Sequence, residues 1–379
     1  MSQLMKFGII VNKLYLDNNI AQINNVVDKG IDIIIVSNSS QRLKKQYSTS
    51  LDSKVRFLTR NEMRRELEYI NSDDNIIYSV LGIVKEDANF SFNFKIPLFY
   101  LSSYEQLEAF NEVKVKKYGL KIDSIDIILK CYDAYKIVYD PYFSFFDGNK
   151  FRAISLYNAN TYFVDDDEKK LKEMLQRIIK GNEFDNNILS TLTFLIIKYL
   201  ENNVNLHDKN ILICSFPSSN FNNVDTPIHY IKEKIRTIFN IIPKNGVEVF
   251  KRVSNRPTKH YNKEFRYDDK CESDFKTLII NEKVDVVDKN IIVIDDYMTS
   301  GYSAEAAKNI LRRAGVGNIF FITLGKFGSN YISIDYDIEG DVTKIGYLYK
   351  EVLCKNIPFY NYVNNDPALL NGLTDILMS

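Results

Sequence analysis

One stretch of the chain, residues 290–303 with the sequence NIIVIDDYMTSGYS, constrains the fold more than any other. Its four apolar residues at 291–294 predict a strand that is buried on both faces, as in a parallel sheet. Asp295 and Asp296 follow at the carboxyl end of this strand, and Gly301 then leads into a helical pattern. A buried strand, an acid pair and a helix in this order indicate an α/β fold.

The helical pattern over residues 303–313 has recognisable ends. We expect Ser303 to cap its N-terminus and Gly315 to stop it. In open α/β sheets, ligands bind beyond the carboxyl ends of the strands, and the free N–H groups of a helix N-terminus attract phosphate. A phosphate there would repel Asp295 and Asp296, so we expect these acids to face a sugar and to bind two vicinal hydroxyls. These groups predict a ribose 5-phosphate site.

The same stretch resembles the phosphoribosyl-pyrophosphate (PRPP) signature of type I phosphoribosyltransferases. That signature has four apolar residues, two acids, two apolar residues, two small or hydroxyl residues, Gly, any residue, and Ser or Thr. Tyr297 departs from it, because a small aliphatic residue is usual there. The alternative is a buried strand that ends in a solvated Asp-Asp turn before an ordinary helix.

The resemblance implies specific roles. Asp295 and Asp296 would hold the ribose 2′ and 3′ hydroxyls close to Mg2+ and would orient the metal, with most metal ligands supplied by PRPP and water. The 5-phosphate would bind where the backbone approaches closely at Gly301. The residues assigned to PRPP in this stretch are Tyr297, Met298, Thr299, Ser300, Gly301, Tyr302 and Ser303.

Composition limits the remaining possibilities. A chain of 379 residues with 45% hydrophobic residues predicts two domains with packed cores. Lys plus Arg and Asp plus Glu both number 49, so the zero formal charge gives no indication of a nucleic-acid or anionic-membrane partner, although it leaves room for a local basic patch. Four scattered Cys and three His argue against a zinc site or disulfides. With no long apolar run and no signal-peptide pattern, we expect a cytoplasmic protein without a membrane partner.

Residues 1–115 alternate strand and helix patterns, which predicts a separate Rossmann-like parallel-sheet domain. The strand at 31–36 followed by Ser37 resembles the phosphate-binding second motif of haloacid dehalogenase-like (HAD) proteins. Gly82 with Asp87 and its neighbour Glu86 faintly resembles the acidic fourth motif of that family.

The decisive HAD residues are missing from the first strand. The family's aspartyl nucleophile and acid/base should follow that strand as DxD, but residues 9–13 read IIVNK. Without a carboxylate there is no phospho-aspartyl intermediate, so the resemblance implies an inactive phosphatase domain. A generic Rossmann-like module, with residues 37–40 as a polar loop, is the open alternative.

Residues 116–204 read as a connecting or hood region. A hairpin turn at Asp147-Gly148 separates two strand patterns, and residues 161–164 can add a strand. Helices are predicted over 169–179 and 188–200. The acidic run that starts at Asp165 suggests a solvated helix cap more than a metal site.

Residues 205–330 form the predicted phosphoribosyltransferase core, and the resemblance over about 165–327 is closest to the ComF-like branch. In that branch a loop after the first core strand contacts pyrophosphate, and a mobile basic loop closes over PRPP. An ordinary turn and a solvated basic loop are the respective alternatives. The matching residues are Pro217, Ser218 and Ser219 for the first loop, and Arg252, Thr258, Lys259 and Arg266 for the second, with Lys259 or His260 where Gln is common.

Three functions remain in view. The first is an enzyme that transfers ribose 5-phosphate from PRPP to an unidentified base, amine or macromolecule. Arg252, Lys259 and Arg266 would then offset charge on the departing pyrophosphate. The second is a protein that senses PRPP or a nucleotide without turnover. The third, disfavoured by the missing DxD, is a HAD-type phosphatase. The aromatic C-terminal extension, 331–379, serves either core packing or self-association.

Overall fold

The computed structural model describes residues 5–16, 19–69, 76–148, 150–181, 183–244, 247–256, 269–358 and 362–378. The fold is α/β, and the chain divides into two compact units. The first unit comprises Met1–Tyr135, Asn186–Lys198 and Thr237–Asn240, and the second comprises Lys136–Asp185, Tyr199–Arg236 and Ile241–Ser379. Among the described residues, no helix is both long and apolar enough to span a bilayer.

A six-stranded, fully parallel sheet forms the framework of the first unit, in the order β3-β2-β1-β4-β5-β6. Val11 of the central strand lies between Ile35 and Leu81 in register. Ile9 and Ile34 are fully buried, as expected for strands covered on both faces. The strands are β1 (Lys6–Asn12), β2 (Asp32–Val36), β3 (Arg56–Leu58), β4 (Ile76–Leu81), β5 (Leu98–Leu101) and β6 (Gly119–Ile122).

The strands of the first unit are connected by helices and by one short 3-10 turn, Ser102–Gln106, which a separate helix follows. The unit also runs past residue 115, where the sequence suggested a boundary, because β6 extends its sheet. The helices are α1 (Ile20–Asp28), α2 (Ser40–Gln46), α3 (Arg60–Tyr69), α4 (Lys85–Phe94), α5 (Glu112–Tyr118) and α6 (Asp126–Lys136).

The second unit is built on a five-stranded sheet in the order β7-β8-β13-β12-β9. Only β7 is antiparallel, and it forms the expected hairpin with β8 across Asp147-Gly148. In the interior strand β12, Ile292 lies between Ile213 of β9 and Phe320 of β13. The strands are β7 (Phe143–Asp147), β8 (Phe151–Asn158), β9 (Ile211–Ser215), β12 (Asn290–Met298) and β13 (Asn318–Lys326).

The expected buried strand at 291–294 is confirmed, since all four residues are at most 1% exposed. The strand is longer than expected, however, because pairing with β13 continues to Met298. β9 ends at Ser215, opposite Ile294. The acids that follow Ile294 therefore extend past the end of β9 while β13 still runs beside them, which opens the sheet edge on one side.

Two small antiparallel sheets complete the second unit. The strand expected at 161–164 is absent from the described structure, where these residues form bends and irregular chain. The small sheets are β10 (Phe250–Arg252) with β11 (Leu278–Ile280), and β14 (Tyr331–Glu339) with β15 (Leu348–Ile357). The remaining helices along the chain are α7 (Asp166–Gly181), α8 (Asn186–Asn203), α9 (Pro227–Phe239), α10 (Glu272–Phe275), α11 (Tyr302–Arg313) and α12 (Ala368–Leu377).

A buried lysine joins α11 to the strands around it. Lys308 Nζ lies 2.6 Å from Glu305 in the same helix, 3.1 Å from Asp147 of β7 and 3.0 Å from Asp335 of β14. The side chains of Lys308 and Glu305 are fully buried. Glu305 also accepts hydrogen bonds from Tyr331 Oη at 2.6 Å and from the backbone N–H of Ile334. This network fixes α11, and with it the loop that precedes the helix.

We expect Lys308→Met to destabilise the protein by about 3–5 kcal/mol, because it leaves a buried carboxylate without its cation. Urea denaturation followed by circular dichroism measures the loss. Lys276→Met is the matched control, because Lys276 is exposed and its salt bridge with Glu272 lies at the surface. That change should cost about 0–1 kcal/mol. Equal effects of the two substitutions would contradict the structural role of the buried network.

Candidate functional site

The second unit contains a polar cleft of about 650 Å³ at the carboxyl ends of β9, β12 and β13. This edge is where parallel α/β sheets bind ligands. The lining residues are Ile179, Lys180, Phe216, Pro217, Ser218, Ser219, Asn223, Thr226, Ile228, Arg256, Asp295, Asp296, Tyr297, Thr299, Ser300, Tyr302, Ser303, Phe327, Gly328, Ser329 and Asn330.

Asp295 and Asp296, the acid pair, form the floor of this cleft. Both are half-buried, and Asp295 accepts a hydrogen bond of 2.9 Å from the backbone N–H of Asp296. Burial and the adjacent Asp296 carboxylate raise the pKa of Asp295 to about 8, although the charges of Arg256 and Lys180 act in the opposite direction. In the described part of the chain, no salt bridge reaches Asp295. A bound cation, or hydroxyl groups that donate hydrogen bonds, would therefore stabilise these two adjacent carboxylates.

The loop that follows, residues 297–303, is called the anion loop here. Its turn depends on Gly301, which has a φ of 88° and is the N-cap of α11. A Cβ on Gly301 would lie 2.4 Å from the Tyr331 ring, so both the backbone angle and the close packing exclude a side chain. The expectation that Ser303 caps the helix is wrong, because Ser303 lies within the first turn. The expected stop at Gly315 is confirmed by its φ of 79°.

Hydroxyl groups and helix N–H groups converge on one end of the cleft. Thr299, Ser300 and Ser303 all line it, together with the start of α11. The first N–H groups of an α-helix have no partner within the helix, and the helix dipole makes this end positive. Met298 differs from its neighbours, because it is 4% exposed and packs in the core. An anion bound at this end would therefore meet hydroxyl and N–H donors.

Tyr297 is accommodated by a large-small-large arrangement across the sheet. It lies beside Gly325 of β13, which in turn lies beside Tyr157 of β8. A Cβ on Gly325 would come within 2.9 Å of the Tyr297 ring. The hydroxyls of Tyr157 and Tyr297 are 2.8 Å apart and share a hydrogen bond. The glycine thus provides the space that a tyrosine requires at a position where a small residue would otherwise fit.

The opposite side of the cleft carries a charged cluster behind Pro217, Ser218 and Ser219. Arg252, at 6% exposure, donates to the buried Asp274 at 2.9 Å and to the Pro217 carbonyl at 3.2 Å. Arg256 donates to both oxygens of Asp274, at 2.9 and 2.7 Å. Two guanidinium groups on one buried carboxylate leave this cluster one positive charge in excess.

The two arginines have different positions. Arg252, which we expected to face pyrophosphate, supports the loop from behind and is not among the cleft-lining residues. Arg256 lines the cleft, and its backbone N–H donates to the Ser219 carbonyl at 2.8 Å. The Nε atoms of both arginines are buried without a hydrogen-bond partner in the described structure. Lys259 and Arg266, the other expected basic residues, lie outside the described residues.

Three basic residues near the site were not predicted from the sequence: Arg256, Lys180 and Lys326. Lys180, at the end of α7, lies over the rings of Tyr297 and Phe327, 5.0 and 5.3 Å from their centroids. Lys326 is fully buried and donates to the carbonyls of Thr299 and Asn330. Burial lowers the pKa of Lys326 to about 7. The basic character of residues 251–259 could have indicated Arg256, whereas no local signal marks the two lysines.

A second group of ionisable residues lies on α9 and before β10. His229, Glu233 and Glu248 bring potential ligand atoms within 4.8 Å of one another. Lys232, almost fully buried, already pairs with both glutamates, and Arg236 pairs with Glu233 at 2.7 Å. Burial and the charge of Lys232 lower the pKa of His229. The two carboxylates are neutralised by protein cations, which describes an ion-pair network better than a metal centre.

In the first unit, the polar residues at the carboxyl end of β1 bind one another. Asp87 accepts hydrogen bonds from Asn12 Nδ2 at 2.8 Å, from Arg60 at 2.6 Å and from the backbone N–H groups of Ile83 and Val84. The space left among these groups is about 10 Å³. That volume holds about one water molecule and no phosphate group.

The other residues behind the HAD resemblance also have local roles. A Cβ on Gly82 would lie 2.6 Å from Asp87, so the glycine permits the close approach of that carboxylate. Ser37 is buried and its Oγ accepts the backbone N–H of Ser39 at 3.1 Å. Glu86 is exposed. The strand order of the sheet is that of a doubly wound fold, which many unrelated functions share.

No protein-family model matches the sequence, and no curated protein matches it. Among solved structures, the chain is similar to one titled "GsuK channel bound to NAD", with 9% sequence identity and a TM-score of 0.22. The similarity covers 85% of this chain and 62% of that chain, so this chain spans less than two thirds of that protein's length. A TM-score this low carries no argument about fold or function.

We expect Asp295→Asn to stabilise the protein increasingly as the pH rises. Between the usual Asp pKa of 3.8 and about 8, folded Asp295 keeps a proton that the unfolded chain has lost, so folding stability falls through this window. Asn does not titrate, so the variant does not lose folding stability in this way as the pH rises. In thermal melts from pH 5 to pH 9, the variant should gain on the order of 3–8 °C over wild type at pH 8, and much less at pH 5. The exposed Asp140→Asn is the control. A constant difference across pH would contradict the pKa shift.

Gly301→Ala should destabilise the protein more than a positive φ alone explains. Gly346 provides the comparison, because its φ of 98° is similar but no atom lies near its missing Cβ. We expect Gly346→Ala to cost about 1–2 kcal/mol from the backbone angle, and Gly301→Ala at least 1 kcal/mol more from the Tyr331 contact. Urea midpoints of the two variants measure the difference. Equal losses would show that the Tyr331 ring moves away freely.

Proposed function

We propose that this protein is a phosphoribosyltransferase, which binds PRPP with Mg2+ and transfers ribose 5-phosphate to a nitrogen nucleophile. The observation that carries the proposal is the placement of the acid pair and the anion loop on one cleft at the carboxyl end of β12. This combination suits a sugar bearing a phosphate. The carboxylates accept hydrogen bonds from sugar hydroxyls, and the neighbouring hydroxyl and N–H groups donate hydrogen bonds to a phosphate. The specific type I phosphoribosyltransferase fold for the second unit is part of the proposal.

The charges in the cleft support a ligand with several anionic groups. The 5-phosphate is assigned to the anion loop, where hydroxyls and the N-terminus of α11 face the cleft. Pyrophosphate is assigned to the side with Pro217, Ser218 and Ser219, beside Arg256 and its buried partner Asp274. The excess positive charge of that cluster, with Arg256 as its cleft-lining member, suits a strongly negative leaving group.

The acid pair fits Mg2+ by the chemistry of its donors. Oxygen atoms, including those of carboxylates, are the ligands that Mg2+ prefers in proteins. Burial, and after it the charge of Asp296, raises the pKa of Asp295, and a bound cation would offset both effects. Asp295 and Asp296 would hold the metal together with oxygens of the substrate and water. When bound, Mg2+ would supply positive charge that offsets the charge developing on the departing pyrophosphate.

In the proposed reaction, the residues of the chain mainly position the substrate and neutralise charge. The acid pair accepts hydrogen bonds from the ribose hydroxyls, and the anion loop holds the 5-phosphate, so that C1 lies between two walls of the cleft. The C1–O bond breaks, pyrophosphate leaves with the electron pair towards Arg256, and the lone pair of the acceptor nitrogen forms the new bond to C1. Where that nitrogen carries a proton, the proton passes to water. Arg256 stabilises the leaving charge.

The first unit enters this proposal as a structural or partner-selecting domain. Asp87 is fully engaged by Arg60, Asn12 and two backbone N–H groups, and the remaining space is too small for a phosphate. These contacts support an inactive HAD-like domain over an active phosphatase. A protein that binds PRPP without turnover is the second candidate, favoured by the inert first unit, and the same experiment separates it from an enzyme.

We expect the protein to bind PRPP with Mg2+ and to release pyrophosphate from it in the presence of a suitable acceptor. The Asp295→Asn/Asp296→Asn variant should bind PRPP at least about 30-fold more weakly, because each carboxylate provides charged hydrogen bonds worth about 1.5–3 kcal/mol. Calorimetry measures the affinity, and an enzyme-coupled assay measures pyrophosphate with panels of bases, amines, nucleotides and RNA.

The exposed Asp140→Asn provides a matched control for the loss of a carboxylate elsewhere. Pyrophosphate release that depends on the acceptor and disappears in the double variant supports the transferase. Binding of PRPP by wild type alone, without release for any member of the panel, supports the sensor instead. Equal PRPP affinity of the wild type and the double variant, or no affinity at all, contradicts the proposed site.

A further inference from the structure

The cleft has two cationic side chains on opposite walls. Arg256 belongs to the β9 side, because its backbone is bonded to Ser219, which follows β9. Lys180 belongs to the β13 side, because its Nζ lies over the rings of Tyr297 and Phe327, the latter directly after β13. Both lower the pKa of the intervening Asp295 through their charges, against the larger effect of burial. The acid pair therefore lies between them.

The two cations differ in what they already bind. Arg256 is held by the fully buried Asp274 through two hydrogen bonds. For Lys180, no carboxylate lies within salt-bridge distance among the residues that the structure describes, and its contacts are the two aromatic rings. Lys180 is exposed to the cleft at the end of α7, next to the buried Ile179. Within the described residues, Lys180 is thus a positioned ammonium group that forms no salt bridge.

The order of the strands indicates on which side of the reacting carbon Lys180 lies. A nucleophile that displaces a leaving group in line must approach from the opposite side of the carbon. If pyrophosphate leaves towards the β9 side and the ribose is held on β12, the acceptor approaches from the β13 side. The parallel pairing β9-β12-β13 puts these three positions in one row. Among the described residues that line the cleft, Lys180 is the basic residue on the β13 side, from which the acceptor would approach.

We propose that Lys180 selects an acceptor that carries a carboxylate, so that the substrate class is a small nitrogen compound with an acidic group. A single ammonium group matches one carboxylate in charge, and the rings of Tyr297 and Phe327 keep it from folding away. This inference rests on the proposed function, since it identifies the acceptor for the same cleft. It makes Lys180 a specificity-determining residue on the acceptor side.

The test compares acid and neutral members of matched pairs as acceptors: nicotinate with nicotinamide, orotate with uracil, and anthranilate with aniline. Pyrophosphate release gives kcat/KM for each compound with PRPP and Mg2+. We expect at least one acid to exceed its neutral partner by about 30-fold or more. In Lys180→Gln the kcat/KM for that acid should fall about 10- to 100-fold, the effect of losing one hydrogen bond to a charged group. The ratio of acid to neutral partner should approach 1.

Lys169→Gln is the matched control, because Lys169 is exposed on the same helix and does not line the cleft. It should keep the wild-type ratio. A general structural effect of a substitution on α7 lowers both members of a pair together and leaves their ratio unchanged. An unchanged ratio in Lys180→Gln, or a wild-type preference for the neutral members, overturns the proposal.

Failure of the proposed function is detected separately, by calorimetry with PRPP and Mg2+ alone. If PRPP does not bind, or binds without release, the same six compounds are titrated directly into wild type and Lys180→Gln. Tighter binding of an acid than of its neutral partner, lost in Lys180→Gln, supports the carboxylate subsite even then. Equal binding of both members, or binding of none of the six, overturns it.

Discussion

The second unit depends on an arrangement that is unfavourable by itself, namely two adjacent carboxylates near the end of a central buried strand. Burial and mutual repulsion raise the pKa of Asp295 to about 8. The surrounding sheet enforces this placement, because Ile291–Ile294 are buried between two parallel neighbours and the chain cannot turn earlier. Two acids held so close together that one of them keeps its proton are typical of functional sites.

The elements around the acid pair are fixed by buried polar contacts. Behind the anion loop, Lys308 and Glu305 anchor α11, and Tyr331 closes against Gly301. Lys326 bonds to carbonyls of both the anion loop and the loop after β13. These contacts hold the loops on both sides of the start of α11 in place. Under the proposed function, loops held in this way would reduce the reorganisation that anion binding requires.

The first unit illustrates the opposite outcome at an equivalent edge of a parallel sheet. There the carboxylate of Asp87 is satisfied by Arg60, by Asn12 and by two backbone N–H groups. Such a fully bonded acid stabilises the turn after β4 and leaves about 10 Å³ of space. A related topology can therefore hold an open polar site or a closed one, and the difference lies in whether the charges are already paired within the chain.

Features that depend on residues close together in the chain could be predicted from the sequence. The apolar run before Asp295, the glycine turn at Gly301 and the helix stop at Gly315 were readable, because each reflects a local backbone requirement. Which distant side chains share the cleft depends on the packing of the whole unit, which places Lys180 and Arg256 at the cleft and directs Arg252 towards Asp274. The length of β12 beyond Ile294 likewise follows from pairing with β13. These outcomes depend on strand order and register, which are set by contacts between residues far apart in the chain and leave no local pattern.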